Sequence, residues 1–119
     1  MTLNELLNQM KQHPDFHQAG MVLCHNGVVR GTSRDGRKVN GLSVSVDKEK
    51  LAAIIEKNKK REGVLDILVH INEGAMKVGD DVMYLIVAGD IRDNVIPALE
   101  STLNEIKSTV TSKTEFFVE

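Results

Sequence analysis

The side chains able to do chemistry are spread along this sequence rather than gathered in one signature. His13 and His17 stand four apart, but Pro14 between them breaks the helix that would put both on one face, and no acidic third ligand sits at a recognisable offset. No metal site is therefore expected. Cys24 is the lone cysteine; flanked by β-formers, it reads as a small buried hydrophobe rather than a nucleophile. The stretch from Gly27 to Gly36 matches neither the Walker nor the dinucleotide pattern, so no nucleotide cradle or cofactor is implied. It does lead through Arg30, Arg34, Arg37 and Lys38, and guanidinium forks suit phosphate or carboxylate; a solvated turn is the competing reading. Arg92 follows an apolar strand at a helix entry, where loops and free backbone N–H groups collect anionic ligands, with a pairing to Asp90 or Asp93 as the alternative. Taken alone, Lys107 reads as a helix-ending lysine and Lys113 as an edge-strand gatekeeper.

The elements that must position these groups follow from periodicity. Thr2 and Glu5 have capping-box spacing, and Leu3, Leu6, Leu7 and Met10 form one helical stripe that stops near His13. The β-rich segment from Met21 to Arg30 is either a hairpin turning at Asn26-Gly27 or one long strand with a glycine bulge. Leu42, Val44 and Val46 alternate with serines as in a half-buried strand. Asp47 caps a helix with Leu51, Ile54 and Ile55 inward, which stops at Glu62-Gly63 after a solvated basic end at Lys57, Lys59, Lys60 and Arg61. Two near-continuous apolar runs, 64–71 and 82–88, read as strands at the centre of a sheet. Asp93 is the expected cap of a last helix with Ile96, Leu99, Leu103 and Ile106 inward, and an edge strand is expected over 113–118. The string αββαββαβ describes one α+β domain over residues 1–119, with three helices on a mixed sheet.

Composition narrows the function classes. The 119 residues are 41% hydrophobic but only 3% aromatic, so the core is aliphatic and a base-stacking platform is not expected. A formal charge of -2 predicts no general attraction to nucleic acid or anionic membrane, so any anion site is local. A single cysteine suits a reducing compartment, no apolar run is long enough to span a bilayer, and the N-terminus lacks a signal-peptide core. A cytoplasmic protein is expected.

Read in order, Gly27-Val28-Val29-Arg30, Gly36 to Val39 leading into a strand, Val78-Gly79-Asp80, Arg92 after an apolar strand, and a helix ending in Ile106-Lys107 before Lys113-Thr114-Glu115 resemble the large catalytic subunit of molybdopterin synthase. The resemblance runs from about Gly20 to Glu115. It implies an α/β hammerhead fold and sulfur transfer from the C-terminal thiocarboxylate of a small ubiquitin-like subunit, whose Gly-Gly tail enters the large subunit, to a cyclic pyranopterin monophosphate. It also implies a homodimer of large subunits with a small subunit at each end. By the same resemblance Arg30 and Arg92 bind the anionic substrate, while Lys107 and Lys113 serve the sulfur-transfer step. Ile91 stands where that family carries His before the arginine, and Ser45 and Asp47 stand where it carries Glu and Tyr. Two other readings follow. One is a non-catalytic relative that keeps the dimer and the tail-binding groove; the other is a small anion- or nucleic-acid-binding domain using residues 30–38 and 57–61.

Overall fold

The computed structural model describes residues 1–118. In chain order the elements are α1 (Leu3–Lys11), β1 (Met21–Val28), β2 (Val39–Val46), α2 (Lys48–Lys59), β3 (Val64–Ile71), β4 (Gly74–Lys77), β5 (Asp81–Gly89), α3 (Arg92–Glu105), a π-helical turn (Ile106–Val110) and β6 (Thr111–Phe117). The α+β class and the three helices are those expected. The strands, however, do not join in one mixed sheet: they divide into two three-stranded sheets ordered β1-β5-β3 and β4-β2-β6, and every pairing is antiparallel.

β5 organises the molecule. It is the central strand of its sheet and is buried from Val82 to Gly89, because both of its faces are covered. Met83, Leu85 and Val87 pack with Ile54 of α2 and with Val95, Ala98 and Ile106 of α3 or its end. Tyr84, Ile86 and Ala88 pack under Leu6 and Met10 of α1. A strand with two apolar faces needs a continuous apolar run, which is why 82–88 does not alternate. β3, read as equally central, lies at an edge of the sheet. A third cluster of Val29, Leu42, Val44, Met76 and Val82 joins the inner face of the second sheet to the start of β5.

The local signals resolve as follows. Thr2 and Asp47 cap α1 and α2, accepting from Glu5 N at 3.1 Å and Lys50 N at 3.1 Å. β1 is one strand with a register irregularity at Gly27/Val28, so the hairpin alternative falls away. β4 was not expected: four residues are too few to show a period, and it exists by pairing with β2. Asp93 is not the cap of α3. Ile91 holds that position without a side-chain bond, and Asp90 accepts from Ile91 N at 2.7 Å and from Asn94 Nδ2 at 2.9 Å. The fully buried positions of α3 and its end are Val95, Ala98, Thr102 and Ile106, Leu99 and Leu103 pack half-buried beside them as expected, and Ile96 is exposed. Cys24 is exposed rather than buried, on β1, an edge strand of its sheet. Among the described residues no helix is long and apolar enough to cross a membrane.

Gly63 marks where α2 hands over to β3. Its φ is +77°, and a Cβ there would run into the Asp90 carboxylate and the Asn94 amide. Gly63→Ala is expected to lower stability by about 1–3 kcal/mol from backbone strain alone, with the steric conflict added. A shift of the urea midpoint to lower concentration at unchanged slope measures it.

Candidate functional site

Lys113 belongs to β6, an edge strand, where it pairs in register with Val44. Directly opposed residues of an antiparallel pair share a face, and Val44 is buried in the cluster between the sheets. The Lys113 stem is thereby laid along the inner face of the second sheet, although its ammonium still reaches water. Burial comes first among the causes that hold its pKa below the ordinary 10.5; the Lys107 ammonium and the Arg34 guanidinium push the same way and Glu115 opposes them.

Lys107 comes from the π turn that ends α3. The turn is pinned at both ends by Ile106 and Val110, which are buried, and Lys107 between them is exposed. Hydroxyl side chains hold the widened geometry: Thr109 Oγ1 donates to Glu105 O at 2.7 Å and Ser108 Oγ to the same oxygen at 3.3 Å. Val110 O accepts from Asp47 N at 2.9 Å, tying the turn to the start of α2. Glu105, just before the turn, accepts from Lys57 Nζ at 2.7 Å and from Asn58 Nδ2 at 3.2 Å. Lys57 is therefore engaged with α3, and Lys59 with Glu56 and Asp66, while Lys60 and Arg61 are exposed.

The loop between β1 and β2 supplies the arginines. Ser33 N donates to Arg37 O at 2.9 Å, Gly36 N to Ser33 O at 3.1 Å, Gly36 takes a φ of +87°, and Ser33 Oγ donates to the Asp35 carboxylate. The Arg37 guanidinium lies 3.7 Å from the centroid of the Phe117 ring, fastening the loop to β6. Arg30 Nε donates to Thr32 O at 2.7 Å. With the loop so folded, Arg30, Arg34 and Lys113 line a cavity of about 680 Å³ together with Val28, Leu42, Asp35, Glu115 and Phe117. Arg34, Lys107 and Lys113 line an adjoining hollow of about 310 Å³. Lys107 and Lys113 also wall a recess of about 280 Å³ floored by His25, Asn26 and Gly27.

Three of the four residues singled out from the sequence, Arg30, Lys107 and Lys113, thus border one concave region. Arg92 does not: it is exposed at the opposite end of α3, about 20 Å from Lys107 at 1.5 Å per residue. Among the described residues no carboxylate lies within 4.0 Å of a nitrogen of Arg30, Arg34, Arg92, Lys107 or Lys113. Two members were not singled out. Arg34 stood within a loop whose fold no local pattern reveals. His25 carries no local signal either, because the run Met21-Val22-Leu23-Cys24 before it is apolar at every position and does not fix which face of β1 the ring joins. His70 lies on the other face of the sheet beside Tyr84, with Nε2 3.0 Å from Asn72 Oδ1.

Unpaired cations sharing a hollow repel one another, and the arrangement suits a guest carrying several negative charges. The sign of the cost can be tested. The folded state holds fewer protons on Lys113 than the unfolded state does between its depressed pKa and 10.5, so this group's contribution to stability rises with pH through that window and is at its least below it. Lys113→Met is expected to raise the melting temperature at pH 7, with the advantage shrinking as pH approaches 10.5; an unchanged or lower melting temperature at pH 7 would contradict the desolvation described.

An uncharacterised protein of Methanocaldococcus jannaschii is 34% identical over 92 residues, which cover 74% of this chain and 77% of that one. A probable molybdopterin synthase of Haloferax volcanii is 28% identical over 119 residues, covering 92% of this chain but 44% of that protein, so this chain spans less than half of its length. Among solved structures, the complex of subunits 1 and 2 of molybdopterin-converting factor from Helicobacter pylori contains a similar fold, with a TM-score of 0.73 at 18% identity, over 100% of this chain and 85% of that chain. The sequence profile described as MoaE protein matches residues 1–109, a span that takes in both layers of the fold, the arginine loop and Lys107, and on that match this chain belongs to the MoaE family.

Proposed function

We propose that this protein is the large subunit of a molybdopterin synthase, transferring sulfur from the C-terminal thiocarboxylate of a small ubiquitin-like subunit to a cyclic pyranopterin monophosphate in the cytoplasm. The observation that carries the reading is the convergence of Arg30, Arg34, Lys107 and Lys113 around adjoining cavities, with no carboxylate paired to them among the described residues. The roles divide by chemistry. Arg30 and Arg34 offer planar donor forks to the phosphate. Lys107 and Lys113 hold the acyl-sulfur group and stabilise the negative charge that develops on its oxygen. The partner is argued from family membership and from the assembly of the Helicobacter pylori relative with a second subunit. Arg92 is too far along α3 to reach this pocket within one chain, so its substrate-binding role requires a second copy, in keeping with a homodimer that carries two small subunits.

The test is reconstitution. Purified protein, thiocarboxylated small subunit and cyclic pyranopterin monophosphate should yield the dithiolene product, and the product should be absent when an ordinary carboxylate replaces the thiocarboxylate. A non-catalytic relative is the second reading, favoured by Ile91, an exposed apolar residue where the family carries His. It is selected if the Gly-Gly tail binds but no sulfur moves.

A further inference from the structure

The π turn that carries Lys107 is tied to α2 at both of its ends. At the far end Val110 O accepts from Asp47 N at 2.9 Å, so the chain leaves the turn fixed to the cap of α2. At the near end the Glu105 carboxylate meets the last turn of α2. Its Oε1 accepts from Asn58 Nδ2 at 3.2 Å and from Ser101 Oγ at 3.1 Å, and its Oε2 from Lys57 Nζ at 2.7 Å. The Glu105 carbonyl takes the Thr109 and Ser108 hydroxyls that shape the turn. One residue thus engages the neighbouring helix with its side chain and the turn with its backbone.

Asn58 is the unusual partner. It is 1% exposed, a buried amide between two helices. Its Nδ2 donates to Ile54 O at 2.9 Å as well as to Glu105, and two acceptors on that side fix which way the amide faces. Its Oδ1 is buried too and has no partner among the described residues. A buried acceptor without a hydrogen bond costs stability, and an apolar side chain would avoid that cost. What Asn58 supplies and an apolar residue does not is a donor aimed at Glu105 from a place fixed by packing. The Lys57 ammonium holds the Glu105 carboxyl below its ordinary range more strongly than Asn58 does. Yet the Lys57 side chain is 69% exposed, and a pair of that kind attracts without holding one geometry.

We propose that Asn58 and Glu105 are positioning residues for Lys107: the buried amide fixes Glu105 on α2, and Glu105 sets the rotation of the π turn that points Lys107 into the hollow shared with Arg34 and Lys113. For its effect on turnover this rests on the sulfur-transfer reading above. At 3.6 residues per turn, successive side chains stand roughly 100° apart, so Lys107, two residues beyond Glu105, leaves the turn on nearly the opposite side. With Glu105 directed to α2, Lys107 is directed away from it, toward the residues of β1 and β6 that share its cavities. Ile106 between them holds the turn down on the core; the directional bonds at Glu105 hold its rotation.

Turnover and a lysine titration, both on the full chain, test the role. Asn58→Leu, similar in size but without the donor, should lower turnover in the reconstituted reaction about ten- to a hundredfold. Glu105 is partly exposed, so Glu105→Leu carries the same test if Asn58→Leu does not fold. Glu105→Gln keeps an oxygen for Asn58 and should recover most of the loss, and Lys57→Met should stay within twofold of wild type. In a Lys107→Met background, Asn58→Leu should cost less than a further twofold, because a group that acts through Lys107 has nothing left to position. Losses that multiply overturn the proposal, since Asn58 then serves the fold at large. The titration decides where that background leaves no measurable rate. Burial first, then Lys107, with Arg34 adding and Glu115 opposing, holds the Lys113 ammonium below 10.5. A ¹³C-resolved midpoint for Lys113 should therefore rise in Lys107→Met, rise by a similar step in Asn58→Leu and Glu105→Leu, and stay in place in Lys57→Met. A midpoint raised by Lys107→Met but by neither Leu variant overturns the proposal. So does one that Lys107→Met leaves unmoved, for the two ammonium groups then share no hollow. A wild type that forms no product overturns the sulfur-transfer reading, and the titration then still decides whether Asn58 and Glu105 aim Lys107.

Discussion

Lys113→Ala is expected to reduce product formation a hundredfold or more in the reconstituted reaction while leaving the protein folded. Lys113 alone borders the arginine cavity, the hollow shared with Arg34, and the His25 recess, so its removal takes a positive charge from every part of the site at once. A charge that meets a developing oxyanion in a partly desolvated place is worth about 2.7–4 kcal/mol of barrier when deleted. The fold should not suffer, since the ammonium is held against desolvation and two neighbouring cations rather than in an ion pair. Lys113→Arg should not restore the rate, because a planar guanidinium that keeps its proton replaces a compact, adjustable ammonium. Turnover and thermal melting measured on the same preparation separate the effects: loss of rate at unchanged or higher melting temperature is expected. Turnover within a few-fold of wild type would remove Lys113 from the chemistry. Lys107→Ala should also suppress product, through the two cavities it borders.

Ile106→Ala should be among the most destabilising single substitutions. Ile106 is fully buried where α3 passes into the π turn, packed in the cluster that joins α2, α3 and β5. Truncating such a side chain costs about 2–5 kcal/mol through lost transfer energy and the cavity left behind, a large share of the about 5–15 kcal/mol that holds a domain of ordinary stability. A second effect follows from position. Ile106 precedes Lys107, and the π turn keeps its register because Ile106 and Val110 are both seated in the core. With Ile106 gone, the turn can relax toward regular helix and swing Lys107 off the pocket. Activity should therefore fall further than the folded fraction does. Equal losses, measured by urea titration and by turnover at low temperature, would show that the turn does not need this anchor.

Much of the architecture could be read directly from the chain. Thr2 and Asp47 announce helix starts because a side-chain oxygen three residues before a free N–H is a local arrangement. Gly63 announces a stop because a positive φ is local too. The run 82–88 reports that both faces of β5 are covered, and it reports this without naming the covers. What was misread depended on partners. β4 is held by β2 and has no pattern of its own. Of the stripe Ile96, Leu99, Leu103 and Ile106 expected on the inner face of α3, the last three pack on the core, but Ile96 is exposed and Val95, Ala98 and Thr102 are buried instead. Cys24 has β-forming neighbours along the chain, yet it is exposed on an edge strand.

By itself the sequence determined the class of fold and the starts of α1 and α2 at their caps. These are properties of near neighbours along the chain, where hydrogen bonds span three or four residues and hydrophobic periods span about ten. Only the tertiary structure decided that the strands form two antiparallel sheets, that the loop bearing Arg34 is fastened to β6 by Arg37 on Phe117, and that a π turn carries Lys107 to the same hollow as Lys113 and His25. Those outcomes depend on which surfaces of remote segments fit together and exclude water. No short stretch of residues holds that information, so a site assembled from β1, a loop, the end of α3 and an edge strand becomes visible only once the chain has folded.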